Sequence, residues 1–541
     1  MTQLKKQRDY LSPNNYGLPF DGWRSGQTDG MDWIQRDGWF YSDSSQFVKM
    51  IEAPTGTGKS GLVLALSSMY PELRFLVLCA TKLEQDQYEK NITDKYEGFQ
   101  SIRGRNNFHC ILEDESVTHI CEESYCHDVH VDEAKCTIPS KSFECPKKSI
   151  CPYYGQLNDV WEKRIIVTNY AYGLTMLNHA PDRLGKFDVI VEDEGHVLDQ
   201  MLEHFIEVRL WRRQMTKLYN IKLPQYETVT EWQHWCNNNS FPIEELFYRT
   251  KRSDVQSMSS DEINIARGAK NVKDSFDRIK NLDTDWVVEK DPSSVPIKPV
   301  WITSDSHRYL FRHAKRHLIM SGTIPSFIEL AKKIGLSQGE YTAKRMPYIF
   351  PIENRPIVLN PIANMSARHI DESLPKIKRA IDRIISANMD KKILVHTVNY
   401  KIASYLQKNS QHKHHILTHD SKNRIEILNR FKRMAKPSIL VSPSFDKAVD
   451  LPDDECELII IAKLPYPYLG SKVMKKRLEE SRRYYDTETL STVIQMAGRG
   501  VRKETDICPT VILDSNAPQF FQRCRTQNLI PEWVDNAIQG V

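Results

Sequence analysis

The sequence FVKMIEAPTGTGKSGLVLALSSMY, from Phe47 to Tyr70, joins an apolar run to a glycine-rich turn and then to a second apolar run. The first run suits a buried β-strand, and the second is compatible with a helix. Between them, the glycines permit a tight loop whose backbone N–H groups point at a phosphate, beside the positive end of the helix. The stretch therefore predicts a strand, a phosphate-binding loop and a helix, the beginning of an α/β domain.

The loop residues have distinct expected roles if the phosphates are those of ATP. Lys59 meets the β- and γ-phosphates, and the hydroxyl of Ser60 binds Mg²⁺. Ala53 stands where the usual pattern has glycine, a change that leaves the cradle of N–H groups intact. The residues expected to line the nucleotide are Pro54, Thr55, Gly56, Thr57, Gly58, Lys59 and Ser60.

The composition is that of a folded protein with several domains. A chain of 541 residues suggests roughly three to four domains. Its hydrophobic content of 40% and its ten tryptophans provide the apolar surface that disordered chains lack. A net charge of +4 is too small to indicate a nucleic-acid partner by itself. With no signal-peptide core and no membrane-spanning stretch, we expect a soluble, cytoplasmic protein without membrane contact.

Eleven cysteines in such a chain predict reduced thiols that bind metal or are buried. Six of them fall in one short segment: Cys110, Cys121, Cys126, Cys136, Cys145 and Cys151. Four thiolates suit either structural zinc or an iron–sulfur cluster, and spacing alone does not distinguish the two. The other five are expected to be small buried residues: Cys79, Cys236, Cys456, Cys508 and Cys524.

Short runs that are apolar throughout recur along the chain, among them DVIVED and, later, KILVHT. Such runs suit strands of parallel sheets that helices cover on both faces, so two tandem α/β domains are predicted. The first domain is interrupted by the cysteine segment and by a polar, helix-like segment with few strand signals. We expect the first domain to comprise residues 1–102, 154–198 and 296–335, with a cysteine-rich insertion at 103–153 and a helical insertion at 199–295. The second domain is expected at 336–541.

An acidic pair follows the apolar run DVIVED. Asp193 and Glu194 would stand at the carboxyl end of a parallel strand, facing the same crevice as the phosphate loop. Asp193 is suited to hold Mg²⁺ through water, and Glu194 to orient and deprotonate the attacking water. The sequence therefore predicts a site for nucleotide hydrolysis.

A second set of catalytic candidates lies in the octet QMAGRGVR, residues 495–502. Arg499 and Arg502 are three residues apart and share one helical face. Guanidinium groups stabilise the charge that develops on a γ-phosphate in the transition state. Because these arginines belong to the second domain, hydrolysis is expected to depend on closure of the two domains.

The motifs together resemble those of the DEAH-type superfamily 2 helicases of the XPD/DinG group, particularly DinG-like members. The resemblance covers nearly the whole chain, since the motifs follow the family order: APTGTGKS, LCATKLEQDQ, the cysteine segment, VTNYAYG, VEDEGH, LIMSGT, ILVHTVNYK, SPSFDKAVDLPDDECELIIIAKLPYP and QMAGRGVR. Gly195 replaces the usual alanine of the DEAH box. This position contributes no functional group, so the change is expected to be tolerated.

The resemblance implies two tandem RecA-like P-loop domains, with an iron–sulfur domain and a helical arch-like insertion in the first. It implies an ATP-dependent DNA helicase that moves 5′→3′ on single-stranded DNA and acts as a monomer. Its cofactors would be ATP, Mg²⁺ and a [4Fe–4S] cluster, and its partner single-stranded, tailed or forked DNA. The same motifs would also fit an ATP-dependent binding or remodelling module that does not separate strands.

The resemblance also assigns individual residues. The implied cluster ligands are Cys110, Cys136, Cys145 and Cys151, with Cys121 or Cys126 as a possible substitute for Cys136. Thr323 matches the motif that links hydrolysis to movement. The implied nucleotide contacts beyond the loop are Arg24 and Gln27 on the adenine side, Asp450 and Gln495, with Asp446 in the same motif as Asp450. The candidate DNA contacts are Lys82, Arg103, Arg105, Asn169 and Tyr170, the last as an aromatic ring that could stack on a base.

Overall fold

The computed structural model describes residues 10–54, 56–90, 98–111, 130–137, 144–255, 257–283, 285–420, 422–444, 451, 453–501 and 503–540. Within these ranges the chain forms two seven-stranded sheets in which every strand pair is parallel, and a third sheet of three antiparallel strands. Helices cover the two parallel sheets. The predicted pair of tandem α/β domains is confirmed.

The first parallel sheet contains the phosphate loop. Its strands, in spatial order, are Tyr341–Arg345, Val48–Glu52, Ala314–Ser321, Phe187–Glu192, Phe75–Cys79, Ile165–Asn169 and Phe99–Ser101. Its helices are Gln27–Gln35, Lys59–Met69, Lys82–Lys90, Pro152–Gly155, Tyr170–His179, Pro181–Leu184, Leu198–Ile206, Thr303–Tyr309 and Phe327–Lys333.

The continuous apolar runs are explained by burial on both faces of this sheet. In the strand Phe75–Cys79, Leu76 and Leu78 pack into the core on one face. Phe75 and Val77 pack into the core on the other face. Because successive side chains of a strand point to opposite faces, an apolar residue is needed at every position. Full burial of each such side chain contributes about 1.5–3 kcal/mol.

The first sheet extends beyond the boundary that we predicted at residue 335. The strand Tyr341–Arg345 pairs in parallel with Val48–Glu52, from Val48 opposite Tyr341 to Glu52 opposite Arg345. The guanidinium of Arg345 also lies 2.6 Å from the buried carboxylate of Glu52. Residues 336–345 therefore belong to the first domain. The sequence YTAKR concealed this strand because it is an edge strand with no fully buried side chain.

The second parallel sheet forms the other domain. Its strands, in spatial order, are Ile416–Thr418, Ser438–Ser442, Lys392–His396, Leu458–Ile461, Thr510–Asp514, Ile357–Ala363 and Ile538–Gln539. Its helices are Ile370–Ser386, Tyr400–Asn409, Arg424–Arg433, Lys472–Glu480, Arg482–Ala497, Ala517–Thr526 and Glu532–Asp535.

The insertion predicted at 199–295 is helical in its outer part only. Its helices are Arg212–Tyr219, Val229–Asn238, Ser240–Arg252 and Ser260–Lys280. They pack on an antiparallel sheet whose strands, in spatial order, are Val208–Trp211, Ser294–Pro299 and Trp286–Val288. The predicted start is also too early, because Leu198, Leu202 and Ile206 pack into the core of the first domain. The insertion with this sheet, which we call the arch, therefore spans residues 207–299.

The cysteine segment consists of short turns where it is described. Its 3₁₀ turns are Arg105–Asn107, Val131–Glu133, Lys135–Thr137 and Lys148–Ile150. A small cluster formed around Val131, Cys151 and Tyr153 holds these turns together. Cys121 and Cys126 lie outside the described residues. None of the described helices is both long enough and apolar enough to span a membrane.

Candidate active site between the two parallel-sheet domains

A cleft of about 1320 Å³ separates the two domains and receives residues from both. The predicted residues that line it are Arg24, Gln27, Pro54, Gly56, Gly58, Lys59, Ser60, Asp193, Glu194, Thr323, Gln495 and Arg499. Thr57 is buried beneath the loop, where its hydroxyl donates to the carbonyl oxygen of Pro54 at 2.7 Å. The fold thus brings together residues that are more than 400 positions apart in the sequence.

The phosphate loop has the backbone conformation that its glycines predict. Gly56 and Gly58 have φ angles of 89° and 75°, in the left-handed region that favours glycine. Gly58 is also the N-cap of the helix that begins at Lys59. The first amides of that helix therefore open into the cleft, as an anion site requires.

Arg24 and Gln27 lie directly on this loop. The amide nitrogen of Gln27 donates to the carbonyl oxygen of Gly58 at 3.0 Å. Its amide oxygen accepts from the backbone N–H of Arg24 at 2.6 Å. The guanidinium of Arg24 in turn donates to the carbonyl oxygen of Gly56. Arg24 and Gln27 therefore brace the phosphate loop, and their contact with adenine stays a prediction.

Lys59 and Glu194 form an ion pair across the cleft floor, with Nζ 2.6 Å from Oε1. Burial alone would lower the pKa of Lys59, but Glu194 and Asp193 together hold it above its usual value. Burial opposes ionisation of Glu194, yet Lys59 and then His196 hold the pKa of Glu194 well below its usual range. Both groups are therefore charged, and a phosphate must compete with Glu194 for the ammonium.

Asp193 is fixed by two hydrogen bonds. The buried hydroxyl of Tyr88 donates to its Oδ2 at 2.9 Å, and the backbone N–H of Glu194 donates to its Oδ1 at 2.9 Å. Burial raises the pKa of Asp193, and Lys59 opposes that shift. Together with the hydroxyl of Ser60, this carboxylate supplies the oxygen donors that Mg²⁺ prefers. Tyr88 was not among the predicted residues.

A chain of hydrogen bonds connects Glu194 to the second domain. The amide nitrogen of Gln495 donates to Nε2 of His196 at 2.5 Å. In that tautomer, Nδ1 of His196 donates to the hydroxyl of Ser321 at 2.8 Å. The Ser321 hydroxyl donates to Oε2 of Glu194 at 3.3 Å and accepts from the backbone N–H of Thr323 at 3.1 Å. The carboxylate of Glu194 is thus linked through the LIMSGT region to a residue of the opposite wall.

The second-domain wall presents Arg499, whose residue surface is 9% exposed. The neighbouring ring of His396 is buried, and burial followed by the charge of Arg499 lowers the pKa of His396 to about 3. His396 is therefore neutral and adds no positive charge beside Arg499. The predicted residues Thr55, Asp446, Asp450 and Arg502 lie outside the described residues.

Three of the candidate DNA contacts lie where the cysteine segment meets the first domain: Lys82, Arg103 and Arg105. Lys82 is exposed, and its ammonium donates to the side-chain oxygen of Asn107 at 2.5 Å. Arg103 pairs with Asp86 and Glu89 at 2.5 and 2.8 Å. These contacts attach the cysteine segment to the helix Lys82–Lys90. The guanidinium of Arg105 lies over the ring of Tyr153, 5.3 Å from its centroid.

Asn169 and Tyr170 have structural roles in this state. The side chain of Asn169 caps the helix Tyr170–His179 by accepting from the backbone N–H of Tyr172. Tyr170 is 1% exposed, and its hydroxyl donates to the carbonyl oxygen of Asp193 at 3.1 Å. The expectation that this ring stacks on a base is therefore corrected. Tyr170 lies in the core beneath the acidic pair. The residues next to it in the sequence do not reveal this position.

Four predicted metal ligands gather in the cysteine segment, and none of the four forms a disulfide. Cys151 is buried, and Cys110 and Cys136 pack against the same apolar cluster. Burial raises the pKa of Cys136, Arg105 opposes this shift, and the thiols of Cys110 and Cys145 add to it. Across the described part of the chain, however, no three His, Cys, Asp or Glu side chains are spaced to hold a metal ion. The thiols share a neighbourhood with suitable donor chemistry, but they do not form a closed metal site in this arrangement.

Comparison with known proteins assigns the fold. The family described as Helicase C-terminal domain matches residues 383–537. The solved structure titled "XPD_Helicase" has 15% sequence identity over 94% of this chain and 99% of its own, with a TM-score of 0.59. The chain has an XPD-helicase fold. The structure of S. tokodaii Xpd4 agrees, with 15% identity over 95% of this chain and 99% of its own and a TM-score of 0.58. The two parallel-sheet domains therefore correspond to the two RecA-like domains of the XPD helicase fold.

Proposed function

We propose that this chain is an ATP-driven DNA helicase, a DinG-like member of the XPD/DinG group that moves 5′→3′ on single-stranded DNA as a monomer. The observation that carries the proposal is the hydrogen-bond chain from Glu194 through Ser321 and His196 to Gln495. It connects the group that would activate water with the opposite domain. A site built only for hydrolysis has no need of such a link.

Nucleotide binding would begin with an exchange of partners by Lys59. The β- and γ-phosphates attract its ammonium away from Glu194, with which it is paired at 2.6 Å. Ser60, and Asp193 through water, would hold the Mg²⁺ that accompanies ATP. Once Lys59 has left, the pKa of Glu194 rises because its nearest positive charge is removed. Glu194 becomes a stronger base when a nucleotide is present, which favours hydrolysis of bound ATP.

Hydrolysis would be coupled to movement through the opposite wall. Arg499 is held on that wall, close to the helix that carries Gln495. Closure brings the guanidinium to the γ-phosphate, where it stabilises transition-state charge. Loss of the γ-phosphate removes its attraction for Arg499, so the domains can separate. The hydrogen bond between Gln495 and His196 would transmit this movement to the LIMSGT region. A single DNA strand held by both domains would be advanced with each closure and opening of the cleft.

The cysteine segment is proposed to hold a [4Fe–4S] cluster through Cys110, Cys136, Cys145 and Cys151. Support comes from the motif resemblance and from the shared neighbourhood of these thiols. When bound, such a cluster supplies four iron–thiolate links that tie the turns of the segment together. Arg103 and Arg105 would then be held beside the path of the strand. Binding of the cluster must draw the four thiols closer together than they are here.

Iron and acid-labile sulfide in anaerobically purified protein test this assignment. We expect the wild-type chain and Cys236→Ser, which alters a buried cysteine of the arch, to contain about four irons per chain. Cys136→Ser should lose most of that iron. Zinc in place of iron would refute the cluster, and retained iron in Cys136→Ser would move the fourth ligand to Cys121 or Cys126.

Hydrolysis of ATP with and without single-stranded DNA tests the motor itself. The wild-type chain should hydrolyse ATP, and DNA should stimulate the rate. Lys59→Ala should reduce the stimulated rate by about 100-fold or more, because the β- and γ-phosphates lose their ammonium. Lys475→Ala, which alters an exposed lysine of the helix Lys472–Glu480, is the matched control and should retain the wild-type rate. A wild-type protein that hydrolyses no ATP under either condition would refute the proposal.

A further inference from the structure

Three side chains form a stack at one end of the cleft. The rings of Tyr348 and Trp533 are stacked, with centroids 4.6 Å apart and planes inclined by 20°. The guanidinium carbon of Arg355 lies 3.3 Å from the Tyr348 centroid and 4.5 Å from the Trp533 centroid. Tyr348 and Arg355 belong to the connection between the two domains, and Trp533 belongs to the second domain. All three line the cleft.

Arg355 is a buried cation with unsatisfied donors. It is 8% exposed, and burial lowers its pKa to about 10. Within the described ranges, its Nε and Nη2 atoms have no hydrogen-bond partner. A buried guanidinium normally pairs with a carboxylate or with several carbonyl oxygens, because leaving its donors unsatisfied is costly. The described part of the chain therefore offers no acceptor for these two donors.

The stack lies beside the start of the phosphate loop. The indole N–H of Trp533 donates at 3.3 Å to Glu52, the last residue of the strand that leads into the loop. The connection also passes close to the adenine-side motif, since the side chain of Met346 contacts the positions of Gly26 and Gly30, on either side of Gln27. These contacts place Arg355 at the end of the cleft where Arg24 and Gln27 brace the loop.

We propose that Arg355 is a nucleoside-binding residue, positioned by Tyr348 and Trp533 to donate hydrogen bonds to the base and ribose of a nucleoside triphosphate. Acceptor atoms of that end of the nucleotide satisfy Nε and Nη2. The flanking rings hold the guanidinium in place through cation–π contact. This inference rests on the proposed use of ATP and adds a recognition residue from the connection between the domains. Because the connection joins both domains, nucleoside binding there would also restrain their relative motion.

Binding of ATP and of inorganic tripolyphosphate, each with Mg²⁺, tests the assignment by calorimetry. Arg355→Met keeps an unbranched side chain beside the two rings and removes all of the donors. We expect it to weaken ATP binding by about 10- to 100-fold and to leave tripolyphosphate binding unchanged. Lys475→Met is the matched control, since Lys475 is exposed on the helix Lys472–Glu480 and does not line the cleft. It should bind both ligands as the wild-type protein does.

The outcomes separate this inference from the proposed function. A wild-type protein that binds no ATP would refute the use of ATP itself. Equal weakening of ATP and tripolyphosphate would assign Arg355 to the phosphates and overturn the nucleoside role. Unchanged affinities in Arg355→Met would also overturn it. A purely structural role predicts a lower unfolding temperature with unchanged ATP affinity, whereas our inference predicts an unfolding temperature equal to or above that of the wild type.

Discussion

Glu84 is a third carboxyl group beside the acidic pair. Burial, followed by repulsion from Glu194 and Asp193, raises the pKa of Glu84 to about 8. Its position is fixed at the start of a helix, where Oε2 accepts from the backbone N–H of Thr81 at 3.0 Å and its own N–H donates to the Thr81 hydroxyl at 3.2 Å. The carboxyl group therefore binds a proton near neutral pH in the ligand-free protein.

Replacement of Glu84 by glutamine should change how the stability of the ligand-free protein depends on pH. An unfolded glutamate has a pKa of about 4.3, so between that value and about 8 the folded wild-type protein binds the extra proton. Its free energy of unfolding must then fall as the pH rises through this window. In Glu84→Gln, the free energy of unfolding should lack the part of this decrease that comes from the Glu84 carboxyl group.

Urea unfolding at about pH 5.5 and about pH 8 measures the difference. The gain in stability of Glu84→Gln over the wild type should grow between the two values by on the order of 1–3 kcal/mol. Glu479→Gln, which alters an exposed glutamate, should keep the wild-type dependence. Parallel pH profiles for the wild type and Glu84→Gln would refute the raised pKa.

At this scale, residues with a fixed motif position were predictable, and residues defined by distant neighbours were not. Lys59 and Glu194 follow from short patterns because the chemistry requires one residue type at each position. The role of Arg355 depends on Trp533, which lies 178 positions further along the chain. Tyr170 was misassigned for the same reason, because its burial depends on packing beneath Asp193.

Glu289 joins the arch to the second domain. It follows the strand Trp286–Val288 and reaches the start of the helix Lys472–Glu480. Its carboxylate accepts from the hydroxyl of Ser471 at 2.5 Å and from the backbone N–H groups of Lys472 and Val473 at 3.0 and 3.1 Å. An arch residue thus satisfies the first amides of a helix in another domain, where a negative charge is also favoured by the helix dipole.

Glu289→Ala should loosen this end of the helix. Loss of such a cap costs about 1 kcal/mol, so the amides of Lys472 and Val473 should exchange with deuterium about fivefold faster. Glu479→Ala, on the exposed side of the same helix, should leave those rates unchanged. Unaltered exchange in Glu289→Ala would show that the helix keeps its start without the arch.

The sequence predicted buried elements better than exposed ones. Strands covered on both faces, such as Phe75–Cys79, are apolar at every position and stand out. The edge strand Tyr341–Arg345 and the arch strand Val208–Trp211 have mixed faces, so their hydrophobic pattern is weak. Their pairing depends on partners elsewhere in the chain, and a local pattern contains no information about them.

Lys333 binds the two domains together at a buried position. Its ammonium donates to the carbonyl oxygen of His196 at 2.8 Å and pairs with Asp199 at 2.9 Å, both in the first domain. It also pairs with Glu488 of the second domain at 3.0 Å. Its ammonium donates hydrogen bonds to His196 and Glu488, and the side chain of Lys333 is 7% exposed. Removal of this charge leaves two carboxylates without their shared partner.

Lys333→Met should therefore destabilise the protein by about 3 kcal/mol. The adjacent Lys332 offers a matched control, because its side chain is 68% exposed and lies 3.6 Å from Glu329. Lys332→Met should change the free energy of unfolding by less than about 0.5 kcal/mol. Urea unfolding of both variants provides the comparison. Equal effects would mean that Lys333 does not hold the domains together.

For the whole molecule, the recurring apolar runs predicted the two parallel-sheet domains. They did not predict how the domains contact one another. Lys333, Glu488 and Gln495 meet their partners across distances of about 150 to 300 positions in the sequence. Such contacts arise from docking of complete domains, which no local pattern encodes. The prediction that the cysteine segment forms an iron–sulfur domain stays a prediction, since no three of its described ligand side chains are spaced to hold a metal ion.

Strand separation is the most direct test of the account as a whole. Duplex DNA with either a 5′ or a 3′ single-stranded tail is incubated with anaerobically purified protein and ATP, with Lys59→Ala as the control. We predict that the wild-type chain separates only the duplex with the 5′ tail and that Lys59→Ala separates neither. Separation from the 3′ tail would contradict the proposed direction. ATP hydrolysis stimulated by DNA without separation of either duplex would contradict the helicase and favour an ATP-dependent remodelling module.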